Sequence, residues 1–262
     1  MVSGYYYNEE KKSYRIKKAI KLACGCIALY TLLNCALAIF SGRNMFYWIV
    51  EWFDLRNVVN LVIFNRAAFI SSITYYLLMM VYVYAITFFI KEDKYNEIFK
   101  LIIPFLVIAI FMLKLDIHWY YVGNWLFIGV PFFFMGIYCR LKMKNNRNTN
   151  YSIVMCLGVC ITLIETYMFG QKYLMFGTIV LVYGIFMFCL SNPGNENIFS
   201  TIGRKYSMYI FLFHCVIGRL FSHIIENTLV LYIAITVVSV ICSIIFSKLV
   251  KFYIQTKKYK NE

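Results

Sequence analysis

The sequence of 262 residues has few of the residues and segments that form turns and linkers in soluble domains. It contains three prolines, 12 acidic residues and three histidines, and it has no internal repeat and no low-complexity linker. No paired CxxC elements occur, and no short apolar run near the start ends in a small-residue cleavage site. These absences argue against a metal site and against a cleavable signal peptide. We therefore predict a single domain over residues 1–262, with no metal bound.

Nine cysteines are present, an odd number, and most of them fall inside apolar runs. Cysteine is among the residues most often buried, where it behaves as a small apolar side chain. The spacing therefore favours buried thiols over a disulfide scaffold.

Long apolar runs are abundant, since 62% of the residues are hydrophobic. A helix needs about 20 mostly apolar residues to cross a bilayer core about 30 Å thick. The predicted spans are Ala19–Phe40, Ala67–Ile90, Phe99–Leu113, Val122–Cys139, Ser152–Phe169, Tyr173–Leu190, Ser207–Ile225 and Leu229–Val250. Continuous runs of this length favour helices over the alternating strands of a barrel. The sequence thus predicts an all-α, multi-pass bundle of about eight transmembrane helices in the cell membrane, with the lipid bilayer as its partner.

Basic residues set the predicted orientation. The formal net charge is +14, and 20 of the 26 lysines and arginines fall in every second loop or in the two tails. Basic loops stay cytoplasmic, so both termini are predicted inside, with residues 1–18 as a cytoplasmic basic tail. A nucleic-acid partner is not expected, because that reading would need these charges on a soluble face with stacking aromatics.

One further apolar segment, Met45–Phe64, contains Glu51, Asp54 and Arg56. If it crossed the membrane, every later basic loop would lie outside, against the charge bias. Four of its apolar residues recur at helical spacing, namely Trp48, Trp52, Leu55 and Val59. We predict an amphipathic helix on the outer interface rather than a ninth span.

Three segments carry a resemblance to a known family. They are MVSGYYYNEEKKSYRIKKAI at residues 1–20, NWLFIGVPFFFMGIYCR at Asn124–Arg140, and IGRKYSMYIFLFH at Ile202–His214. In order and spacing they resemble the acyltransferase-3 family of integral membrane acyltransferases. That family reads "FFxxSGY" at the end of its second span, then "nWlxxGlpFFxlG" and "iGkxSyxiYLxH" further on. A weaker likeness is the aromatic element Tyr75–Leu77.

The resemblance also implies what this chain is expected to lack. Family members usually have ten spans, and the first span holds an Arg and a His regarded as the catalytic base. Residues Met1–Tyr5 align with the close of family span two, so the expected base lies upstream of Met1. The chain alone is then expected to be inactive or nearly so. A truncated gene, a start codon assigned too late and a degenerate family member all remain open.

The reaction that the resemblance implies moves an acyl group, most simply acetyl, from cytoplasmic acyl-CoA to a hydroxyl of an extracytoplasmic glycan or cell-envelope acceptor. Acyl-CoA would be a co-substrate, and no bound cofactor is expected. Binding the negatively charged phosphates of CoA would require cationic side chains on the protein. Four residues after the fourth span are candidates, namely Arg140, Lys142, Lys144 and Arg147. The alternative is that each of them only enforces topology.

Three residues within this chain are weak candidates for the base. His214 lies about 10 Å into the seventh span by helical rise, where an ionisable group is a functional candidate. The alternative role of His214 is structural, as a neutral imidazole that forms a hydrogen bond to a neighbouring helix. Glu165 either faces the acceptor, pairs with Arg66 or Lys172, or reaches water. His118 lies in a short outer loop, which is suggestive for a glycan but is also typical of a solvated loop.

Acceptor contacts are predicted for three residues of the outer side: Arg66 at the start of the second span, Asp116 in the loop of His118, and Asn124 in the second motif. The alternative role of Arg66 is to anchor its span at the membrane interface. At the level of the whole protein, two other functions stay open. One is a transporter or flippase-like permease, supported only by the multi-pass architecture. The other is an inactive remnant of the acyltransferase family.

Overall fold

A computed structural model describes residues 1–40, 50, 54–65, 74–91, 94–145, 150–222 and 224–259. Within these ranges every regular element is a helix and no strand occurs. The all-α prediction is therefore confirmed.

Nine helices of ten or more residues lie in the described ranges. In chain order they are α1 Lys12–Phe40, α2 Leu55–Phe64, α3 Thr74–Phe89, α4 Tyr95–Lys114, α5 Val130–Asn145, α6 Ser152–Phe169, α7 Phe176–Ser191, α8 Ile198–Phe221 and α9 Thr228–Tyr259. Shorter helical turns are Val2–Tyr5, Glu9–Lys11 and Trp119–Val122, and a π-helical turn, Trp125–Gly129, leads into α5.

Each of the eight predicted apolar runs overlaps one of these helices, from α1 to α9 with α2 left out. Three stretches of the described residues are long and apolar enough to cross a membrane, namely Trp125–Met143, Ser152–Phe169 and Thr228–Val250. Large apolar side chains stand exposed along the last two, such as Leu163 and Ile233. Exposed apolar surface on this scale fits contact with lipid. The number of eight crossings and their orientation stay predictions.

The chain forms two compact units, Met1–Gly194 and Asn195–Glu262. In the first unit α5 lies at the centre, with α4 and the N-terminal turn Val2–Tyr5 packed against it. Phe133, Phe134 and Ile137 of α5 are almost fully buried there. The side chains of the second family-like motif therefore form the core of this unit.

The N-terminal turn reaches α5 through two glycines. A Cβ on Gly4 would overlap the Phe133 carbonyl, and a Cβ on Gly136 would overlap the backbone of Met1 and Tyr5. Backbone segments can approach this closely only where neither side carries a Cβ. The glycine of the first motif and a glycine of the second thus form one contact.

Helices α6 and α7 pack along their lengths in the same manner. Gly158 of α6 faces the backbone of Leu181, while Gly177 and Gly184 of α7 face the backbone of α6. Small residues at these positions let two membrane helices approach closely enough for their backbones to touch.

The second unit consists mainly of α8 and α9, which pack against each other. The ring of Phe246 in α9 meets the rings of Tyr209 and Phe213 edge-on, at centroid distances of 5.5 and 5.4 Å. Ser239 and Ser243 of α9 are fully buried. The third family-like motif lies within α8 of this unit.

The predicted interfacial segment Met45–Phe64 is described only in part. Its tryptophans and Glu51 lie outside the described residues, whereas Leu55–Phe64 forms α2. No residue of α2 is buried. The helix ends at Asn65, a fully buried residue in the left-handed conformation, which asparagine tolerates better than most residues.

The glycine contact between α6 and α7 generates a first testable prediction. A Cβ on Gly158 would lie 2.5 Å from the Leu181 nitrogen and 2.6 Å from its Cα. Gly158→Ala should therefore force the helices apart and lower the free energy of unfolding by about 1–3 kcal/mol, measured by thermal unfolding in detergent. Gly203→Ala is the control, because nothing lies within 4 Å of that position and alanine favours a helix. Equal stability of the Gly158→Ala variant and the parent would contradict this packing.

Candidate functional site

The polar groups of the first unit gather at the two ends of α5. At its C-terminal end, the Arg140 guanidinium donates a hydrogen bond to the Tyr7 carbonyl. The Tyr7 phenol is buried and donates to Thr87 Oγ1 at 3.0 Å, and Thr87 in turn donates to the Tyr84 carbonyl at 2.6 Å. Arg140, predicted to bind CoA phosphate, thus connects the N-terminal segment to α5, and the Tyr7 phenol connects that segment to α3.

A second arginine acts on the same short segment. Arg15 of α1 donates to the Tyr6 carbonyl, and its guanidinium carbon lies 5.8 Å from the centre of the Tyr7 ring. Tyr6 and Tyr7 follow the turn Val2–Tyr5, and the end of a helical turn leaves carbonyls without intrahelical partners. Two cations satisfy these carbonyls, as expected at the negative end of a helix.

Lys142, the next predicted phosphate residue, has a different environment. Its Nζ donates to the Tyr183 hydroxyl at 3.2 Å and lies 5.8 and 5.9 Å from the ring centres of Tyr183 and Tyr151. The two tyrosine rings meet edge-on at 6.4 Å. Three separate elements supply these side chains: α5, the residue before α6, and α7. We refer to Lys142, Tyr151 and Tyr183 as the Lys142 cluster.

The other two predicted phosphate residues are Lys144 and Arg147. Lys144 lies on the last turn of α5, and Arg147 lies outside the described residues. Their assignment stays a prediction.

Glu165 lies near the other ends of α6 and α7. Its side chain is 8% exposed, and Oε2 accepts a hydrogen bond from Gly177 N–H at 2.7 Å. Gly177 is in the first turn of α7, so the carboxylate satisfies a free N–H at the positive end of that helix. Lys114 Nζ lies 3.2 Å from Oε1 and 4.1 Å from the centre of the Phe169 ring.

These contacts connect α4, α6 and α7 through one carboxylate. Two partners were predicted for Glu165. Lys172 instead forms an ion pair with Asp116, and Arg66 lies outside the described residues. The sequence interpretation did not include Lys114.

The loop after α4 holds two of the predicted residues. Asp116 has a positive φ of 58°, is exposed, and pairs with Lys172. His118 is exposed in the same loop. This places a carboxylate, an imidazole and an ammonium on one accessible surface, next to the ring contact of Trp119 with Tyr173 at 5.5 Å. Such a surface suits a polar acceptor better than an acyl chain.

Asn124, predicted to contact the acceptor, is 3% exposed and has an internal role. Its Oδ1 accepts from the N–H groups of Leu126 and Phe127 at 2.9 and 3.0 Å, and its Nδ2 donates to the Tyr121 carbonyl at 2.8 Å. It caps the π-helical turn that leads into α5. Capping by an asparagine side chain satisfies N–H groups that the helix start leaves free.

Trp125 of the same motif is held by the end of α2. Its backbone N–H donates to Asn65 Oδ1 and its indole N–H donates to the Ile63 carbonyl, both at 3.0 Å. The Asn65 amide also donates to the Tyr75 carbonyl at 3.0 Å. Trp125, the second residue of the motif's Asn124–Trp125 pair, therefore connects the entry of α5 to the end of α2, and Asn65 connects both to the start of α3.

His214 lies in α8 of the second unit. Its Nδ1 lies 3.3 Å from the Ile210 carbonyl, its Nε2 lies 3.2 Å from Cys215 Sγ, and its ring is 5.6 Å from that of Phe211. All of these neighbours belong to its own helix.

The model of the acyltransferase-3 family, whose description is an acyltransferase domain, matches residues 1–248. The chain belongs to this family. The match includes all three motif segments and both compact units. No curated protein and no solved structure matches the chain.

Sequence reasoning missed Tyr151, Tyr183 and Lys114. Tyr183 lies within an apolar run, where a tyrosine reads as a core residue, and Tyr151 lies next to a polar loop, where it reads as an interfacial anchor. Lys114 is one of the six basic residues that lie outside the alternate loops and the tails. A basic residue at the end of an apolar run, opposite a predicted glutamate at a similar depth, is the signal that could have found it.

The Glu165 contacts generate a second prediction. Lys114→Met should leave a buried carboxylate without its cation. The free energy of unfolding should fall by about 1–3 kcal/mol, less than for a fully buried pair because Lys114 is partly exposed. Adding Glu165→Gln should restore stability, since the amide oxygen still accepts from Gly177 and carries no charge. Thermal unfolding of the single and double variants measures both effects.

Lys172→Met is the matched control for this pair. Its partner Asp116 has an 82% exposed side chain, so the loss should stay below about 0.5 kcal/mol. A double variant less stable than Lys114→Met would show that the glutamate charge has another partner.

Proposed function

We propose that this protein is a membrane acyltransferase that moves an acyl group, most simply acetyl, from cytoplasmic acyl-CoA to a hydroxyl of an extracytoplasmic glycan or other cell-envelope acceptor. The observation that carries this proposal is the family match over residues 1–248. The structure adds that two motif segments far apart in the sequence, Ser3–Tyr5 and Phe133–Gly136, pack directly on each other.

The arrangement along the stretch Trp125–Met143 supports a reaction across a bilayer. Its 19 residues are mostly apolar and about half-buried, and at about 1.5 Å per residue they span about 28 Å, close to the thickness of the hydrocarbon core. Arg140 and Lys142 lie at one end, and the loop of Asp116 and His118 leads toward the other. A donor with phosphates and a polar acceptor would thus meet the protein on opposite sides.

On the donor side we assign CoA phosphates to Lys142, with Lys144 and Arg147 as further cations. Arg140 acts mainly by positioning the N-terminal segment, because its guanidinium holds the Tyr7 carbonyl. On the acceptor side we assign Asp116, His118 and, from its place at the predicted outer start of the second span, Arg66. Asn124 supports this side by shaping the entry to α5 rather than by contact with the acceptor.

The resemblance assigns the general base to a His of the family's first span, a segment that no part of Met1–Glu262 resembles. Among the weak candidates within these residues, Glu165 is engaged by Lys114 and Gly177, and His118 is an exposed residue of the loop after α4. A multi-pass architecture by itself also suits a permease, whereas family membership favours group transfer.

Acyl transfer tests the proposal. Membranes containing the 262-residue chain are compared with membranes containing the chain extended by whatever precedes Met1 in its reading frame, and both receive labelled acetyl-CoA. We expect label in envelope glycans with the extended protein, and about 10²–10⁴-fold less with the chain alone, the usual cost of losing a positioned base.

Absence of transfer by the extended protein would contradict the proposed function. Equal transfer by both proteins would contradict the upstream base, and it would direct the search to His118, Glu165 and His214. Membranes without the protein supply the background.

The orientation is a separate prediction, motivated by the 20 basic residues in alternate loops and tails. In a cysteine-free background, His118→Cys should react with a membrane-impermeant maleimide in intact cells. Asn150→Cys should react only after the membrane is permeabilised, because its loop is predicted to be cytoplasmic. Both positions are exposed, so access to the thiol is not limited by packing. The reverse labelling pattern would invert the topology.

A further inference from the structure

The Lys142 cluster holds more hydrogen-bond donors than it uses. Lys142 donates to the oxygen of Tyr183 at 3.2 Å, which leaves two of its three N–H donors and the Tyr183 hydroxyl proton available. Within the described residues, Tyr183 has no hydrogen-bond acceptor for that proton and Lys142 has no carboxylate partner. A cluster with a positive charge and surplus donors is complementary to an anionic oxygen.

Tyr151 adds a third donor. The residue is 2% exposed, and its hydroxyl has no hydrogen-bond partner among the described residues. Its phenol lies within electrostatic range of both Lys142 and Tyr183. Buried hydroxyls are nearly always satisfied, and an exception calls for an explanation such as a ligand.

Three elements converge to place these groups. Tyr151 immediately precedes α6, Tyr183 lies in α7, and Lys142 lies in the last turns of α5. The contact of α6 with α7 is fixed by the backbone approaches at Gly158 and Gly184. The two tyrosines are therefore held by packed helices, as a preorganised site requires.

We infer that Lys142, Tyr151 and Tyr183 together bind a phosphate group of the CoA donor. This inference rests on the proposed function and extends it, because it assigns two neutral tyrosine donors alongside the single charge. The ammonium supplies the attraction, and the two hydroxyls fix the position of the phosphate oxygens. Charge-assisted bonds of this kind are stronger than neutral ones.

Direct binding of CoA to the purified chain in detergent tests the inference without any acceptor. Tyr151→Phe and Tyr183→Phe should each weaken CoA binding by about tenfold, and Lys142→Met by more, since hydrogen bonds to charged groups contribute most. Tyr151→Phe should not lower the unfolding temperature, because the hydroxyl that it removes has no partner in the free protein.

Matched controls are Tyr167→Phe, which removes a 93% exposed phenol from the same helix α6, and Lys205→Met, which removes an exposed lysine in α8. Neither should change CoA binding. Equal CoA affinity of the parent and of the Tyr151→Phe and Tyr183→Phe variants would overturn the inference. It would leave the proposed function intact.

A lipid headgroup also carries phosphate, so vesicles containing phosphatidylglycerol form a second arm. Weaker binding of the variants to these vesicles, with unchanged CoA binding, would overturn the assignment to CoA. A chain that binds CoA through the cluster but transfers no acyl group in the extended form would overturn the proposed function alone.

Discussion

Backbone hydrogen bonding in a low-dielectric environment is the constraint from which the rest of this architecture follows. The chain is 62% hydrophobic and has long apolar runs, and wherever such a run lies in lipid no water is available to its backbone. The N–H and C=O groups of that run must therefore bond within a helix. What remains free at helix ends is satisfied by side chains: Asn124 at the start of the π-helical turn, Glu165 at the start of α7, and the two arginines at Tyr6 and Tyr7.

This constraint explains why most of the well-placed polar residues serve the fold. A polar side chain in such a bundle costs free energy unless it is paired, and the least costly partners are the unpaired backbone groups at helix ends. Asn65, Asn124 and Glu165 each bond two elements or more in this way. Glycines at the helix contacts then allow the close approach that these short side chains need to bridge neighbouring segments.

The limits of sequence reasoning follow from the same physics. Apolar runs predicted the helices well, from α1 to α9, because hydrophobic length is a local property of the sequence. The side-chain partners were harder, since they depend on which helices meet. For Glu165 the sequence offered water, or a pair with Arg66 or Lys172 facing the acceptor, whereas the structure shows an ion pair with Lys114 at the end of α4. Asn124 was predicted to contact the acceptor, and the structure shows its amide bonded to the backbone, a contact that motif membership does not indicate.

The same reasoning separates a ligand site from a structural contact. At Glu165, one carboxylate has two partners, a cation and an N–H group, so acceptors and donors are matched. At Lys142, an ammonium and two phenols share one internal hydrogen bond, and donors are in surplus. Buried polar groups in a folded protein are rarely left unbalanced without a reason. A binding site for an anion gives that reason, and it places the anion at the end of α5 to which the N-terminal basic segment is also attached.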